Sequence, residues 1–222
     1  MGGLAPTLIV VPVLARPHRV LPLMDAVSEA TEWPHRLLFV VSESDNGQRA
    51  ALEAAHADHL VVADQQTSYP AKCNAAWRAS TEPWLFLAAD DITPHRGWLA
   101  EAHRVQAETG ALVVGTNDLS NRRTIEGTHS THTLVARSYC DEPGATGDAP
   151  GVLHEGYHHW YCDDELVEVA KARGVWAHAG DSIVEHHHPY HGKGEMDATY
   201  RKGESRKRHD RATFMRRRRL WR

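Results

Sequence analysis

Two adjacent carboxylates, Asp90 and Asp91, directly follow the apolar run Trp84–Ala89. Carboxylates at the end of a buried strand are costly unless a cation or hydrogen-bond donors compensate them. A hard divalent ion such as Mg²⁺ or Mn²⁺ suits such oxygens, and it commonly keeps substrate phosphates among its ligands. The pair therefore indicates a site for a metal and a phosphate. The alternative interpretation is a solvated Asp-Asp turn that caps the next helix.

Histidines form the second group. Four of the 17 lie close together, at His186, His187, His188 and His191. In an extended segment, His186 and His188 point to one side and His187 to the other. Imidazole is a common ligand for transition ions, so this side of the segment is predicted to contribute to the metal site. A run of solvated surface histidines is the alternative.

Further carboxylates stand at the predicted start of a helix. In the segment His158–Leu166, Asp163, Asp164 and Glu165 follow a group of aromatic residues in the sequence. A carboxylate in this position can act as a general base toward a hydroxyl acceptor. Acidic residues also favour helix N-termini for electrostatic reasons alone, which is the alternative.

Two basic features suggest contact with phosphate. Lys72 and Asn74 fall in the first turn of a predicted helix, and helix N-termini bind phosphate. Arg216–Arg219 is a run of four arginines that suits the phosphates of a nucleotide or of nucleic acid. For both features, exposed polar residues without a ligand are the alternative.

The elements that must position these side chains follow an alternating pattern in the first 115 residues. Strands are predicted over Thr7–Val13, Leu37–Val41, Leu60–Ala63, Trp84–Ala88 and Ala111–Val114. Helices are predicted from Val20 onward and over Gln48–Ala57, Pro70–Ser80 and Pro94–Glu108. This alternation predicts an α/β fold with a mostly parallel sheet flanked by helices. Ligands bind such sheets at the carboxyl ends of the strands.

The pattern changes after Gly115. A strand is predicted over Thr131–Arg137, a helix over Asp163–Arg173 with Asp163 as its N-cap, a short strand over Val175–Ala177, and little periodicity over Ser182–Tyr200. No repeat and no linker stands out. We therefore predict one domain over 1–200, with a nucleotide-binding half at 1–115 and an acceptor half at 116–200, followed by a basic C-terminal extension at 201–222.

Composition and charge narrow the class of protein. Apolar residues make up 41% of the 222, enough to bury a core, and no apolar run approaches the ~20 residues of a membrane-spanning helix. Three cysteines without a CxxC pair form no disulfide framework, so a reducing cytoplasm is the expected setting. The net charge of −4 divides into +9 from Arg201 onward and −13 before it. Such an extension is expected to meet nucleic acid, a membrane surface, a nucleotide phosphate or the acidic body itself.

Together the motifs resemble a GT-A fold glycosyltransferase, similar to glycosyltransferase family 2 and in particular to its small phage or actinobacterial members. The segments that carry the resemblance are Val10–Pro17, Val40–Asp45, Tyr69–Ala76, Leu85–Pro94 with Gly97-Trp98-Leu99, Tyr161–Leu166 and Val184–Pro189. Ala76 stands where the family commonly has Gly. The metal motif is Ala-Asp-Asp rather than Asp-x-Asp, which leaves open which aspartate is the direct ligand; we favour Asp91.

The resemblance implies a metal-dependent, inverting transfer of a sugar, of the hexosyltransferase kind, from a nucleoside-diphosphate sugar to a hydroxyl. It implies donor contacts at Pro12, Arg16, Glu43, Lys72, Asn74 and Asp90. It implies Mn²⁺ or Mg²⁺ on Asp91, His186 and His188. By the same resemblance, Asp163 or Asp164 is the base. The acceptor is left open between a glycan and a modified nucleic-acid base, with DNA contacted through the basic extension.

Two other classes of function remain as alternatives. A nucleotidyltransferase acting on a sugar phosphate would also bind a metal and a nucleotide at strand ends. It would normally carry a glycine-rich loop after the first strand, whereas Leu14–His18 contains no glycine. A non-catalytic module that binds nucleic acid would use the histidines and arginines, but the cysteines show no zinc-finger spacing.

Overall fold

The apolar runs of the sequence form the strands of one sheet. The computed structural model describes residues 4–221. The strands are β1 (Thr7–Pro12), β2 (His35–Ser42), β3 (His59–Val62), β4 (Trp84–Leu87), β5 (Ile92–Pro94), β6 (Val113–Asn117), β7 (Thr133–Ala136) and β8 (Trp176–His186). The helices are α1 (Val20–Ala30), α2 (Asn46–Ala54), α3 (Tyr69–Arg78), α4 (Trp98–Thr109), α5 (Arg122–Ile125), α6 (Arg137–Cys140), α7 (Cys162–Ala172) and α8 (Ala198–Arg217).

The sheet has eight strands in the order β3-β2-β1-β4-β7-β6-β8-β5. Strands β3, β2, β1 and β4 run parallel, and β6 runs parallel to β8. Strand β7 is antiparallel to both β4 and β6, and β5 is antiparallel to β8. The predicted α/β class with a mostly parallel sheet in a single domain is confirmed.

Both faces of the sheet are buried because side chains alternate along each strand. From β1, Ile9 and Val11 pack into a core that includes residues of α1 and α4. Leu8 and Val10 pack into a second core with residues of α3 and α7. Strands covered on both faces read as continuous apolar runs, which explains why the sequence pattern was so clear in the first half.

Two local expectations in the middle of the chain are wrong. The helix predicted over Pro94–Glu108 begins only at Trp98, and strand β5 precedes it. Gly97 separates the two, because its φ of +79° lies in the left-handed region that favours glycine. Asp163 is not the N-cap of α7. Tyr161 holds that position with a φ of +68°, so Asp163 lies inside the first turn.

The C-terminal quarter is also more regular than predicted. The short strand expected over Val175–Ala177 extends through His186, since its second half pairs with β5. Beyond it, the basic region forms the 20-residue helix α8. Residues 1–3 and 222, which belong to the two predicted regions, lie outside the described residues. Within 4–221, the longest helix is this charged one, and no helix is apolar enough over its length to cross a membrane.

Helix α8 is held to the body by polar contacts. Only Tyr200, Asp210 and Thr213 of the helix are buried. Near its end, Arg217 forms a bidentate ion pair with the fully buried Glu165 of α7. The third guanidinium nitrogen of Arg217 lies 2.8 Å from Asp148. Part of the basic region therefore pairs with the acidic body, which was one of its four expected partners.

A buried histidine makes stability depend on pH. His103 on α4 lies 2.8 Å from the Thr7 hydroxyl and stacks on Trp33. Burial lowers the pKa of His103 from 6.5 to about 4. Between these values the unfolded chain binds a proton that the folded chain does not, so this contribution to stability is complete above about pH 6.5 and is lost toward pH 4. We expect the free energy of unfolding, measured with urea, to depend less on pH in this window in the His103→Gln variant. Substitution of the exposed His18 is the control and should leave this dependence as it is.

Candidate active site

A cavity of about 330 Å³ opens at the carboxyl ends of β1 and β4. Open α/β sheets bind their ligands at this edge. Eight of the eleven predicted site residues line the cavity: Pro12, Arg16, Lys72, Asp90, Asp91, Asp163, His186 and His188. The other three, Glu43, Asn74 and Asp164, are not among the residues that line it.

Pairing between β5 and β8 brings the carboxylates and the histidines together. Asp91 directly precedes β5, and its carbonyl accepts a hydrogen bond from the backbone N–H of His187 at 2.9 Å. This register places the Nε2 atom of His186 at 3.4 Å from Oδ1 of Asp91. His188 lies on the same side, with its ring 5.2 Å from that of His186. His187 points the other way and meets Thr93, as strand alternation predicts.

Two arginines that follow β1 neutralise the carboxylate pair. A guanidinium nitrogen of Arg16 lies 2.8 Å from Asp90 and 3.8 Å from Asp91. Arg19 lies 3.6 and 3.5 Å from the same carboxylates. Burial and the neighbouring negative charge raise the pKa of Asp90 to about 6, against the opposing effect of the arginines. Burial acts in the same direction on Asp91, but His186, Tyr200 and Arg16 outweigh it and hold its pKa well below the usual range.

The first turn of α8 closes over the carboxylates. Asp197 caps the helix by accepting the backbone N–H of Tyr200, and the same carboxylate accepts a hydrogen bond from Arg16 at 2.8 Å. Tyr200 donates its hydroxyl proton to Asp91, and its ring lies 4.3 Å from the Arg16 guanidinium carbon. Further along the same helix, Lys202 and Arg206 line the cavity. The cavity therefore combines two carboxylates with several cationic groups.

A further histidine lies beside this cluster. His132 is only 2% exposed and lines the cavity, with its ring 4.9 Å from that of His186. Neither of its ring nitrogens has a hydrogen-bond partner among the described residues. Burial, together with the nearby His186, lowers the pKa of His132 to about 4. The site thus contains a neutral imidazole whose nitrogens are free to accept or donate.

The two acidic residues at the start of α7 have different surroundings. Asp163 lines the cavity, and its Oδ2 lies 3.3 Å from Nε2 of the buried His129. Burial raises the pKa of Asp163, but the hydrogen bond with His129 outweighs this and lowers it overall. Asp164 faces a separate cleft and pairs with Arg123 at 2.7 Å. Of the two candidate bases, only Asp163 lines the cavity.

Three other predicted residues have structural partners. Lys72 is buried beneath the cavity and donates to the carbonyl of Val13 at 2.7 Å; burial lowers its pKa to about 8. Asn74 accepts the N–H of Val152 and donates to the carbonyl of Leu153, so it ties α3 to the segment that precedes α7. Glu43 is exposed and accepts the backbone N–H of Asp64 at 3.3 Å.

Sequence reasoning missed five residues that the fold brings to the site or its edge: Arg19, His129, His132, Asp197 and Tyr200. His132 follows the polar segment in which no motif was recognised, and Tyr200 lies 109 positions from its partner Asp91. Asp197 lies 181 positions from Arg16. Arg19 offered a weak signal, because it is one helical turn after the predicted Arg16.

Two groups of three His and Asp side chains have candidate ligand atoms within 4.8 Å of one another. These groups, found within residues 4–221, are His129 with Asp163 and Asp164, and His158 with His209 and Asp210. The first includes the candidate base, Asp163. The second lies where α8 meets the loop before α7.

The fold is that of GT-A glycosyltransferases. A mannosyltransferase from Pyrobaculum calidifontis, PcManGT, in complex with GDP-Man and Mn²⁺, superposes with a TM-score of 0.64 at 16% identity, over 84% of this chain and 58% of that one. For S. aureus TarS 1–349 in complex with UDP, the TM-score is 0.62 at 12% identity, over 81% of this chain and 59% of that one. For glucosyl-3-phosphoglycerate synthase from Mycobacterium tuberculosis, in complex with Mn²⁺, UDP and phosphoglyceric acid, the TM-score is 0.60 at 13% identity, over 83% of this chain and 71% of that one.

These likenesses are in structure alone. No family model matches the chain, and no curated protein matches it by sequence. The chain spans less than two thirds of PcManGT and of TarS. At this level of identity, the predicted resemblance to GT-A glycosyltransferases is confirmed for the fold.

Proposed function

We propose that the protein is a metal-dependent glycosyltransferase. It transfers a sugar from a nucleoside-diphosphate sugar to a hydroxyl acceptor, with inversion at the anomeric carbon. The observation that carries the proposal is one cavity lined by Asp90, Asp91 and His186, by several cationic side chains and by Asp163. The structural neighbours described above, which were solved with GDP-Man, UDP and Mn²⁺, support the same donor chemistry.

The donor diphosphate is assigned to the cationic part of the cavity. Arg16 follows β1 and is held in place by Asp90 and Asp197, while Lys202 and Arg206 approach from α8. Guanidinium groups bind phosphate oxygens in a planar, often bidentate arrangement. Pro12 and Lys72 form the adjoining part of the wall, where we place the nucleoside. Glu43 and Asn74 are outside this proposal because they do not line the cavity.

The donor set fits a divalent ion. Neighbouring ligands of an octahedral ion with bonds of about 2.1 Å are about 3 Å apart, and Asp91 Oδ1 and His186 Nε2 are separated by 3.4 Å. Asp91 would hold the ion with His186 and His188, and Asp90 stands next to it. His132 supplies a further unpartnered nitrogen. When bound, such an ion neutralises negative charge that develops on the leaving nucleoside diphosphate. Tyr200 donates to the other oxygen of Asp91, Oδ2, and so leaves Oδ1 open to the ion.

Asp163 is the proposed general base. Its carboxylate takes the proton of the acceptor hydroxyl while that oxygen bonds to the anomeric carbon, and the bond from this carbon to the phosphate oxygen breaks with its electron pair leaving on the diphosphate. His129 keeps Asp163 ionised and oriented by the contact at 3.3 Å. Asp164 is not given this role, because it pairs with Arg123 in a separate cleft.

The acceptor is proposed to be a hydroxyl of a glycan or of a modified nucleic-acid base. The exposed arginines of α8, among them Arg201, Arg208 and Arg211, favour an acceptor that carries phosphates. Retention on DNA that weakens steeply as salt rises would point to the nucleic acid, since phosphate contacts release counterions. Retention that does not depend on salt, or none, would point to the glycan.

A thermal-shift assay tests the donor site. We expect one of UDP, GDP, TDP and CDP to raise the Tm only when Mn²⁺ is present. A ligand that binds only the folded state stabilises it by about 2.7 kcal/mol at a hundredfold excess over Kd. For a chain of this size this corresponds to roughly 5–10 °C. In Asp91→Asn the metal-dependent part of the shift is expected to disappear, because the variant removes a charged ligand.

Asp25→Asn is the matched control, since Asp25 is exposed on α1 and does not line the cavity. It should retain the full shift. A shift of equal size in Asp91→Asn, or no shift with any of the four nucleotides, would contradict the proposed donor site.

A further inference from the structure

A buried carboxylate of α8 has no cationic partner in the part of the chain that the structure describes. Asp210 is 0% exposed, yet within residues 4–221 no side-chain nitrogen of a lysine, arginine or histidine comes within 4.0 Å of its oxygens. Its stabilisation comes instead from the backbone N–H groups of His158, His159 and Trp160, each at 2.9 Å. A buried negative charge is costly unless it is paired, so this site favours a cation.

Two imidazoles complete the surroundings of this carboxylate. His158 and His209 are exposed, and their rings are 5.0 Å apart. One nitrogen of each ring and one oxygen of Asp210 lie within 4.8 Å of one another. A carboxylate oxygen has two lone pairs, and Oδ1 of Asp210 accepts only the His158 N–H. It therefore retains a lone pair for a ligand.

We propose that His158, His209 and Asp210 form a second metal site, distinct from the donor cavity carboxylates, that takes a borderline transition ion such as Zn²⁺. Zinc accepts imidazole nitrogen and carboxylate oxygen in a tetrahedral shell, and three protein ligands leave a fourth position to water. Small rotations of the two exposed imidazoles bring their nitrogens closer to the carboxylate. The charge on the ion would compensate the buried carboxylate of Asp210, which has no ion-pair partner within 4.0 Å among the described residues.

The proposed site joins α8 to a wall of the cavity. His158, His159 and Trp160 line the cavity, and Gly203 of α8 packs against His159 and Trp160. Lys207, one turn before the proposed ligands, lies 3.9 Å from the centre of the Trp160 ring. An ion held by one residue of the loop and two of the helix fixes their separation. Zinc thus stabilises the loop against the helix that also carries Tyr200.

The test uses the full chain, freed of metal by a chelator and titrated with Zn²⁺ alone in a calorimeter. We expect the His209→Ala and His158→Ala variants each to bind one equivalent of Zn²⁺ fewer than the unaltered protein. In the unaltered protein, zinc should raise the Tm by about 5 °C or more at a hundredfold excess over Kd. In both variants this rise should be smaller. Replacing the exposed His18 with Ala should leave both readouts unchanged.

Asp91→Asn separates this proposal from the proposed donor site. That variant is expected to retain the zinc equivalent that His209→Ala loses, whatever becomes of nucleotide binding. The proposal is overturned if the unaltered protein binds no zinc, or if His158→Ala and His209→Ala bind as many equivalents as it does.

Discussion

Replacing Asp163 with Asn is expected to lower kcat by about 10²–10⁴, the range that a positioned general base contributes. Asn is nearly the same size but cannot take a proton from the acceptor. The variant should bind the donor nucleotide as tightly as before, because the cationic residues of the cavity are unchanged. Steady-state kinetics with the nucleotide sugar identified by thermal shift, together with the Kd of the nucleotide, provide the measurement.

Asp164→Asn is the matched control, since it is adjacent in sequence but pairs with Arg123 in another cleft. Its kcat should stay within a few-fold of the unaltered enzyme. Equal losses in the two variants would mean that the whole helix start, rather than one base, is needed.

His129→Gln should produce a smaller loss with a shifted pH profile. His129 lowers the pKa of Asp163 against the effect of burial. Without it the pKa of Asp163 rises, so the acidic limb of the kcat profile should move to higher pH, while kcat on the alkaline side recovers. An unchanged acidic limb would show that His129 does not position the base.

The largest effect on stability is expected from Arg217→Ala. Glu165 is fully buried, and it is bound by Arg217 through bonds of 2.6–2.9 Å and by the Tyr157 hydroxyl. Removing the arginine leaves a buried charge without its partner, which typically costs about 3–5 kcal/mol. Urea unfolding at pH 7 measures the loss. It would appear as a lower midpoint with an unchanged slope.

Arg219→Ala is the control, because Arg219 belongs to the same run of arginines but is exposed. Its effect should be within about 0.5 kcal/mol. The double variant Glu165→Gln/Arg217→Met should recover part of the loss, since it removes the unpaired charge as well. If Arg217→Ala proves as mild as Arg219→Ala, the contact with Glu165 does not anchor the helix.

The first half of the fold could be predicted because its strands are buried on both faces. Runs such as Thr7–Val11 contain only β-branched and other apolar side chains that suit such a strand. The second half of β8 could not be recognised, since its residues from Asp181 to His186 form neither a continuous apolar run nor a strict alternation, and they depend on β5 for pairing. Helix α8 presents almost no apolar stripe, so periodicity gave no signal.

The candidate site was predictable where chemistry and strand ends coincide. Asp90 and Asp91 follow a clear strand, and a ligand edge is expected there. Tyr200 and His132 could not be found in this way, because nothing near them in sequence marks the cavity. Contacts between distant segments bring them there. Glu43 and Asn74 fitted a family pattern, but their side chains are held by the backbone around Asp64 and Val152.

The pairing of β5 with β8 also has a consequence for how the protein is made. It joins Ile92 to His186 across almost half of the chain. Closing so long a loop costs entropy before any contact repays it, and non-local pairing of this kind slows folding. On the ribosome, the first strands can pair while synthesis continues, but the carboxylates acquire their imidazole neighbour only after the His186 segment has emerged. We therefore expect the cluster of carboxylates and imidazoles to form only late in synthesis, after the first strands have paired.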